Sequence, residues 1–222
     1  MKIKLLLLGV LILILASCGS SQRVGKTGAA KSARQLVTLS DEQQRKYDYF
    51  FLEATRLKGK KEYDAAFDLL KHCLTINPQA ASALYEISQY YMFLKQVPQG
   101  QAALEEAVES APDNYWYSQA LASLYQQQNE KEKAIGLLET MATRFPGKRE
   151  SLFALLDLYN QQEDYGKVIG TLDRLEEIMG KNEQLTMEKF RIYLQMKDDK
   201  SAFREIENLV KEYPMDMRYQ VI

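Results

Sequence analysis

Four of the five prolines stand at Pro78, Pro112, Pro146 and Pro214, at intervals of 34, 34 and 68 residues, and Gly180 fills the place that the doubled interval leaves vacant. A fixed period of this length marks a helical solenoid, in which each unit buries its apolar face only against its neighbours. Aligning on these positions defines five units, 47–80, 81–114, 115–148, 149–182 and 183–216. Their columns agree. Leu70, Leu104, Leu138, Leu172 and Ile206 share one, and Leu57, Tyr91, Tyr125, Tyr159 and Tyr193 another. Small residues fill a third at Ala66, Gly100, Ala134 and Ala202, with Val168 the exception, and Cys73, Ala107, Met141, Leu175 and Leu209 form a fourth.

Within each unit two apolar-periodic stretches of about a dozen residues, such as 47–58 and 62–75, predict a pair of amphipathic helices. Polar breaks divide the pairs at Lys58-Gly59-Lys60-Lys61, Gln127-Gln128-Asn129 and Lys197-Asp198-Asp199. Proline at the unit boundary suits the first turn of a new helix, where its missing N–H is not needed. Ser40, with Gln43 three residues on, predicts a cap for the first helix. The fold class is therefore all-α, built from helical hairpins.

These columns resemble the tetratricopeptide repeat (TPR) family, over 170 of the 222 residues. The family's small residue in the first helix is matched at Ala54, Ser88 and Ala122 but not at Leu156 and Phe190, so looser or shifted packing is expected in the last two units. Glu62-Tyr63-Asp64-Ala65-Ala66 and Glu163-Asp164-Tyr165 look like the start of the family's second helix. The resemblance implies a right-handed superhelix of about five repeats that binds protein and catalyses nothing.

In the family the first helices line a concave groove that receives ligands. Carried over, the groove positions are Phe51, Thr55, Tyr85, Gln89, Trp116, Gln119, Ser123, Phe153, Asp157, Met187 and Arg191. Rigid aromatic side chains are the usual anchors of interfaces. Phe51 and Phe153 serve equally well to close the core between units, whereas Tyr85 and Trp116 keep a polar tip that can stay wet. Some relatives grip a C-terminal carboxylate with Lys, Asn and Arg. The corresponding Phe51, Thr55, Glu86, Trp116 and Gln119 cannot do so. An extended or helical peptide is the expected ligand.

Composition excludes much else. The 29 basic and 30 acidic side chains leave a net charge of −1, without the basic excess of a nucleic-acid binder. His72 beside Cys73 cannot build a tetrahedral metal site of three or four ligands, so His72 is expected at the surface and Cys73 in the core. Glu105-Glu106 and Glu176-Glu177 are expected on solvated helix faces. Gly25-Lys26-Thr27 lacks both the earlier glycine and the strand–helix context of a phosphate loop. No catalytic residue, cofactor, metal or small-molecule substrate is expected.

The N-terminus reads as an address. Lys2 and Lys4 precede the apolar run Leu5 to Ala16, whose 12 residues rise about 18 Å as a helix against a roughly 30 Å hydrocarbon core. That length suits a secretory signal. The run closes on Leu15-Ala16-Ser17-Cys18, which resembles a bacterial lipobox and implies a signal peptide 1–17 and acylation (palmitate included) of Cys18. Several acyl chains on one residue anchor firmly. Removing two of the 29 basic residues would leave 27 against 30, a net charge of −3. By the same resemblance Gly19, in place of a retention aspartate, implies the outer membrane; the localisation expected is there, facing the periplasm, with the leaflet left open. Residues 18–40, rich in Gly, Ser, Ala and Thr, read as a flexible tether.

The expected protein is thus a non-catalytic interaction scaffold in a bacterial cell envelope, with a solenoid over 41–216 and the start of an incomplete sixth unit at 217–222. Its expected partners are a protein or peptide of the envelope and, through Cys18, the membrane. Two alternatives stand beside it. One is an assembly factor for outer-membrane proteins or for pili and secretins, like the pilotins. The other is the N-terminal repeat region of a longer enzyme or sensor.

Overall fold

The computed structural model describes residues 37–220, so the expected signal peptide, Cys18 and the tether up to residue 36 lie outside the described residues. The described chain is helical throughout, as the periodicity predicts. Its order is α1 (Asp41–Gly59), α2 (Tyr63–Ile76), α3 (Ala81–Phe93), α4 (Val97–Ser110), α5 (Tyr115–Gln127), α6 (Lys131–Arg144), α7 (Glu150–Gln161), α8 (Tyr165–Met179), α9 (Glu183–Gln195), α10 (Asp199–Glu212) and α11 (Met217–Gln220). Consecutive pairs from α1·α2 to α9·α10 form five antiparallel hairpins stacked in chain order. None of the described helices is long and apolar enough to cross a membrane.

Helix α1 starts at a capping box. The Gln43 N–H donates to Ser40 Oγ at 3.3 Å, and the Ser40 N–H donates to Gln43 Oε1 at 2.9 Å. Every hairpin then turns in the same way. In the first, the Glu62 N–H donates to the Leu57 carbonyl at 3.0 Å and the Lys61 N–H to that of Lys58 at 3.0 Å. Tyr91, Tyr125 and Tyr159 accept the first of these bonds, the one reaching five residues back, in the next three hairpins, and Tyr193 in the fifth. This pairing is the Schellman motif, which needs a left-handed residue just past the helix. Lys61, Lys95, Asn129, Glu163 and Lys197 hold that position, with φ between 56° and 65° and a spacing of 34. Gly59, in the polar break that marks the first turn, lies instead within α1.

The periodic prolines do not start helices, contrary to the sequence-based expectation. Each is the second residue of a turn that follows a hairpin. The closing bonds run from Ala80 N–H to the Asn77 carbonyl (3.1 Å), Asn114 to Ala111 (3.0 Å), Lys148 to Phe145 (2.8 Å) and Asp216 to Tyr213 (3.0 Å). Proline's fixed φ is pre-set for that second position. The off-period Pro98 is the one in the first turn of a helix, α4. Gly180 replaces the turn after α8 with φ 77° and ψ 162°, a region essentially confined to glycine.

Burial follows the columns. Leu70, Leu104, Leu138, Leu172 and Ile206 are all buried, as are Cys73, Ala107, Met141, Leu175 and Leu209. Small residues keep paired helices close: a Cβ on Gly100 would stand 2.6 Å from Met92 Sδ and 3.2 Å from the Ser88 carbonyl. The apolar packing divides into three groups. The first spans Tyr47 to Tyr90, the second Leu84 to Ile192, and a small third joins Ile206 and Leu209 with Met187 and Phe190.

The last division has a cause in the sequence. The position that holds Ile87, Leu121 and Leu155 in earlier units holds Lys189 here, only 6% exposed, and Glu205 is buried near it. Lys189 Nζ donates to Asp173 Oδ1 at 2.8 Å and Glu176 Oε2 at 2.7 Å. Burial opposes its charge, and these carboxylates outweigh that, holding the ammonium above its ordinary range. Glu176 is therefore not on a solvated face. Glu105 stays part-exposed but is also engaged, accepting from Tyr125 Oη at 2.9 Å. Both glutamates meet a partner from the next unit, a contact that a single-helix periodicity does not register.

Candidate functional site

Adjacent first helices touch one another directly. Tyr47 Oη and Ser82 Oγ are 2.9 Å apart across α1 and α3, and Lys58 Nζ meets Glu86 Oε2 at 2.6 Å. Between α3 and α5, the Tyr85 and Tyr117 rings stack with centroids 4.7 Å apart and planes 25° from parallel. Side chains thus join α1 to α3 and α3 to α5, and the predicted groove residues are distributed over α1, α3, α5, α7 and α9.

Their surroundings differ. Trp116 is 68% exposed at the start of α5, where Asn114 Oδ1 accepts its N–H at 3.0 Å. The Tyr115 ring meets its indole edge-on at 5.3 Å, and Lys148 Nζ lies 5.9 Å from its centroid. Phe153, 42% exposed on α7, is the next open ring. Phe51 is half-buried, stacked on Tyr47 at 5.9 Å, and packs against the first core group. Tyr85 is half-buried through its stack on Tyr117. The two rings read as equally suited to core and groove thus part company, Phe51 inward and Phe153 outward.

The polar members are open or locally held. Gln89 and Asp157 are exposed, and Ser123 is half-buried. Gln119 Oε1 accepts from Tyr115 Oη at 3.0 Å. Thr55 Oγ1 donates to the Phe51 carbonyl at 2.9 Å, and Arg191 pairs with Glu188 at 2.8 Å. Met187 is half-buried against Ile206 and Leu209.

Among the described residues no group of three or more His, Cys, Asp or Glu side chains converges as a metal site would. His72 is exposed beside the Phe50 ring, and Cys73 is fully buried, which pushes its thiol up to about 11. A thiol so protonated is a poor nucleophile. The arrangement offers contact area and hydrogen-bonding groups, as an interface does.

Sequence reasoning missed Tyr63, Tyr90 and Phe93, which with Lys58 and Gln89 enclose a cavity beside the same surface. The columns carried the signal. Phe93 stands where the other units have Gly59, Gln127, Gln161 and Gln195.

Residues 57–124 match the model of the tetratricopeptide repeat family. No curated protein sequence matches the chain. Solved structures share the fold. A tetratricopeptide repeat protein from Parabacteroides merdae ATCC 43184 is 18% identical at a TM-score of 0.55, over 79% of this chain and 70% of its own. YrrB, described as a TPR protein with an unusual peptide-binding site, is 13% identical at 0.54, over 81% and 93%. MamA from Desulfovibrio magneticus RS-1 is 14% identical at 0.51, over 81% and 99%. Residues 57–124 thus match tetratricopeptide repeats, and the hairpins before and after them continue the same all-α fold.

Proposed function

We propose that this tetratricopeptide-repeat array is a non-catalytic scaffold that binds a protein or peptide on the surface of its first helices, and that acylated Cys18 holds it in a bacterial cell envelope. The observation that carries the binding reading is the open Trp116 ring, with Phe153 also open on α7, among first-helix positions that are otherwise mixed polar, charged and half-buried apolar. A large apolar ring left in water marks an interaction site when its neighbours exclude water around a partner.

The anchoring rests on the lipobox-like Leu15-Ala16-Ser17-Cys18 and the basic, apolar run before it. A Cys18→Ser protein would leave the membrane fraction; persistence there would refute the anchor. Gly19 after the acylated residue supports the outer membrane within this proposal, by the lipobox resemblance. Within this reading an assembly factor for outer-membrane or pilus proteins is the narrower form, and deletion that disturbs neither class would exclude it. Crosslinking in intact cells, with capture by the wild type and by Trp116→Ala/Phe153→Ala, tests the surface.

A further inference from the structure

Where the ends of α1 and α3 meet the start of α2, a cavity of about 240 Å³ is lined by Lys58, Tyr63, Gln89, Tyr90 and Phe93. That is smaller than the roughly 300–1,000 Å³ of sites for drug-sized ligands, and it suits one large side chain. Its wall is aromatic: the Tyr63 and Tyr90 rings meet edge-on at 6.5 Å, backed by Phe67 at 5.7 Å from Tyr90. Phe93 at the mouth is 79% exposed, and Tyr63 and Leu94 beside it are open too. Tyr90 belongs to the first core group and Phe67 packs against it, whereas Phe93, Tyr63 and Leu94 leave apolar surface in water beside them.

Tyr90 is itself out of column, standing where other units have Arg56, Leu124, Leu158 and Ile192. An aliphatic residue would serve the packing. Tyr90 instead carries a hydroxyl that is buried without a hydrogen-bond partner, in the field of Lys58 and Glu86. A buried unpaired donor is a cost that an acceptor removes.

Charge gives the occupant's sign. Lys58 is held by Glu86, and the turns that flank the cavity carry Lys60, Lys61 and Lys95 against Glu62, with Asp64 at the start of α2. The third and fourth hairpin turns, 128–130 and 162–164, carry Glu130, Glu163 and Asp164 and no cation. The fifth turn, 196–198, carries Lys197 against Asp198, so the four lysines around the cavity, set against Glu62, Asp64 and Glu86, are the largest group of cations at these turns.

From these observations we infer that the cavity is the anchor subsite for an acidic peptide segment that inserts one large apolar side chain between Tyr63 and Phe93, with Tyr90 and Lys58 as donors to it. This rests on the protein-binding reading above and places part of the contact at the first two hairpins. Complementary charge sets the register and speeds encounter, while the buried anchor supplies affinity.

The test is selection of random 12-residue phage-displayed peptides on the purified full chain, with the selected peptides then synthesised and titrated. Enriched peptides should share one large apolar residue flanked by Asp or Glu, and replacing that residue by Ala should weaken binding at least tenfold. Phe93→Ala, a change at an exposed position, should do the same. Lys58→Gln should weaken it severalfold and Tyr90→Phe two- to tenfold, the latter with no loss of thermal stability in the free protein. Peptides without this pattern, or peptides that bind Phe93→Ala and Lys58→Gln as tightly as wild type, would overturn the inference. If those peptides instead lose affinity in Trp116→Ala, the groove reading stands and only the cavity falls. Selection of no peptide at all would contradict both.

Discussion

Tyr159 Oη donates to Glu139 Oε1 at 2.8 Å, tying α7 to α6 of the preceding hairpin, and Tyr125 makes the same bond to Glu105 one repeat earlier at 2.9 Å. The bond repeats because the columns repeat, so it is a joint between units. Burial and the neighbouring carboxylate push the Tyr159 hydroxyl up to about 12 and the Tyr125 hydroxyl in the same direction. An unfolded tyrosine ionises near 10. Between these values the native state holds protons that the unfolded state has lost, so stability present below pH 10 is lost as pH rises towards 12. Denaturant titrations at pH 9 and 11.5 should show this fall. Tyr159→Phe should be less stable at pH 9 and show a shallower decline.

The left-handed turns are a second place where sequence and geometry disagree. Lys95, Glu163 and Lys197 hold φ near 60° without the freedom of glycine, at about 1–2 kcal/mol each. Replacing any of them by glycine gives back part of that in unfolded-chain entropy. The net expectation is stabilisation by roughly 0.5–1 kcal/mol per site, and less at Asn129, whose residue type tolerates the conformation. Gly180→Ala should go the other way by about 1–3 kcal/mol. Urea midpoints at constant slope decide both.

Much of the fold was legible because its period is enforced at each interface. Leu138 or Met141 must be apolar wherever a unit packs on two neighbours, and the 34-residue columns record that. The prolines were equally visible, but their role was not, since a turn's second position and a helix's first turn both favour the same φ. Contacts between units were harder to read. Glu105 and Glu176 look like solvated acids on their own helices and become partners of Tyr125 and Lys189 only when the next unit is in place. At the candidate site Trp116 was legible as a ring without a column. Phe51 against Phe153 was not, because stacking on Tyr47 depends on packing between successive turns and neighbouring helices.

Lys189 offers a third test. Its removal leaves Glu176, which is largely buried and has one oxygen without a partner, with no counter-charge. Breaking a buried pair from one side costs about 3–5 kcal/mol, with the lower end expected because Asp173 is half exposed. Lys189→Ala should show that loss by chemical denaturation. Lys189→Leu combined with Glu176→Leu and Glu205→Leu, which restores the apolar pattern of the earlier units, should recover most of it.

Core and surface should separate cleanly. Leu155 is fully buried in the central group, and Leu155→Ala should cost about 2–5 kcal/mol. Trp116→Ala removes a larger side chain from an open position and should stay within roughly 0.5 kcal/mol of wild type. Equal losses would mean that Trp116 is structural.

The most direct measurement is capture of crosslinked partners from intact cells by the wild-type chain and by Trp116→Ala/Phe153→Ala, after circular dichroism has shown both to be equally helical. A protein-binding surface on the first helices predicts a partner held by the wild type and lost in the double variant. Equal capture by both, or no partner with either, would contradict it.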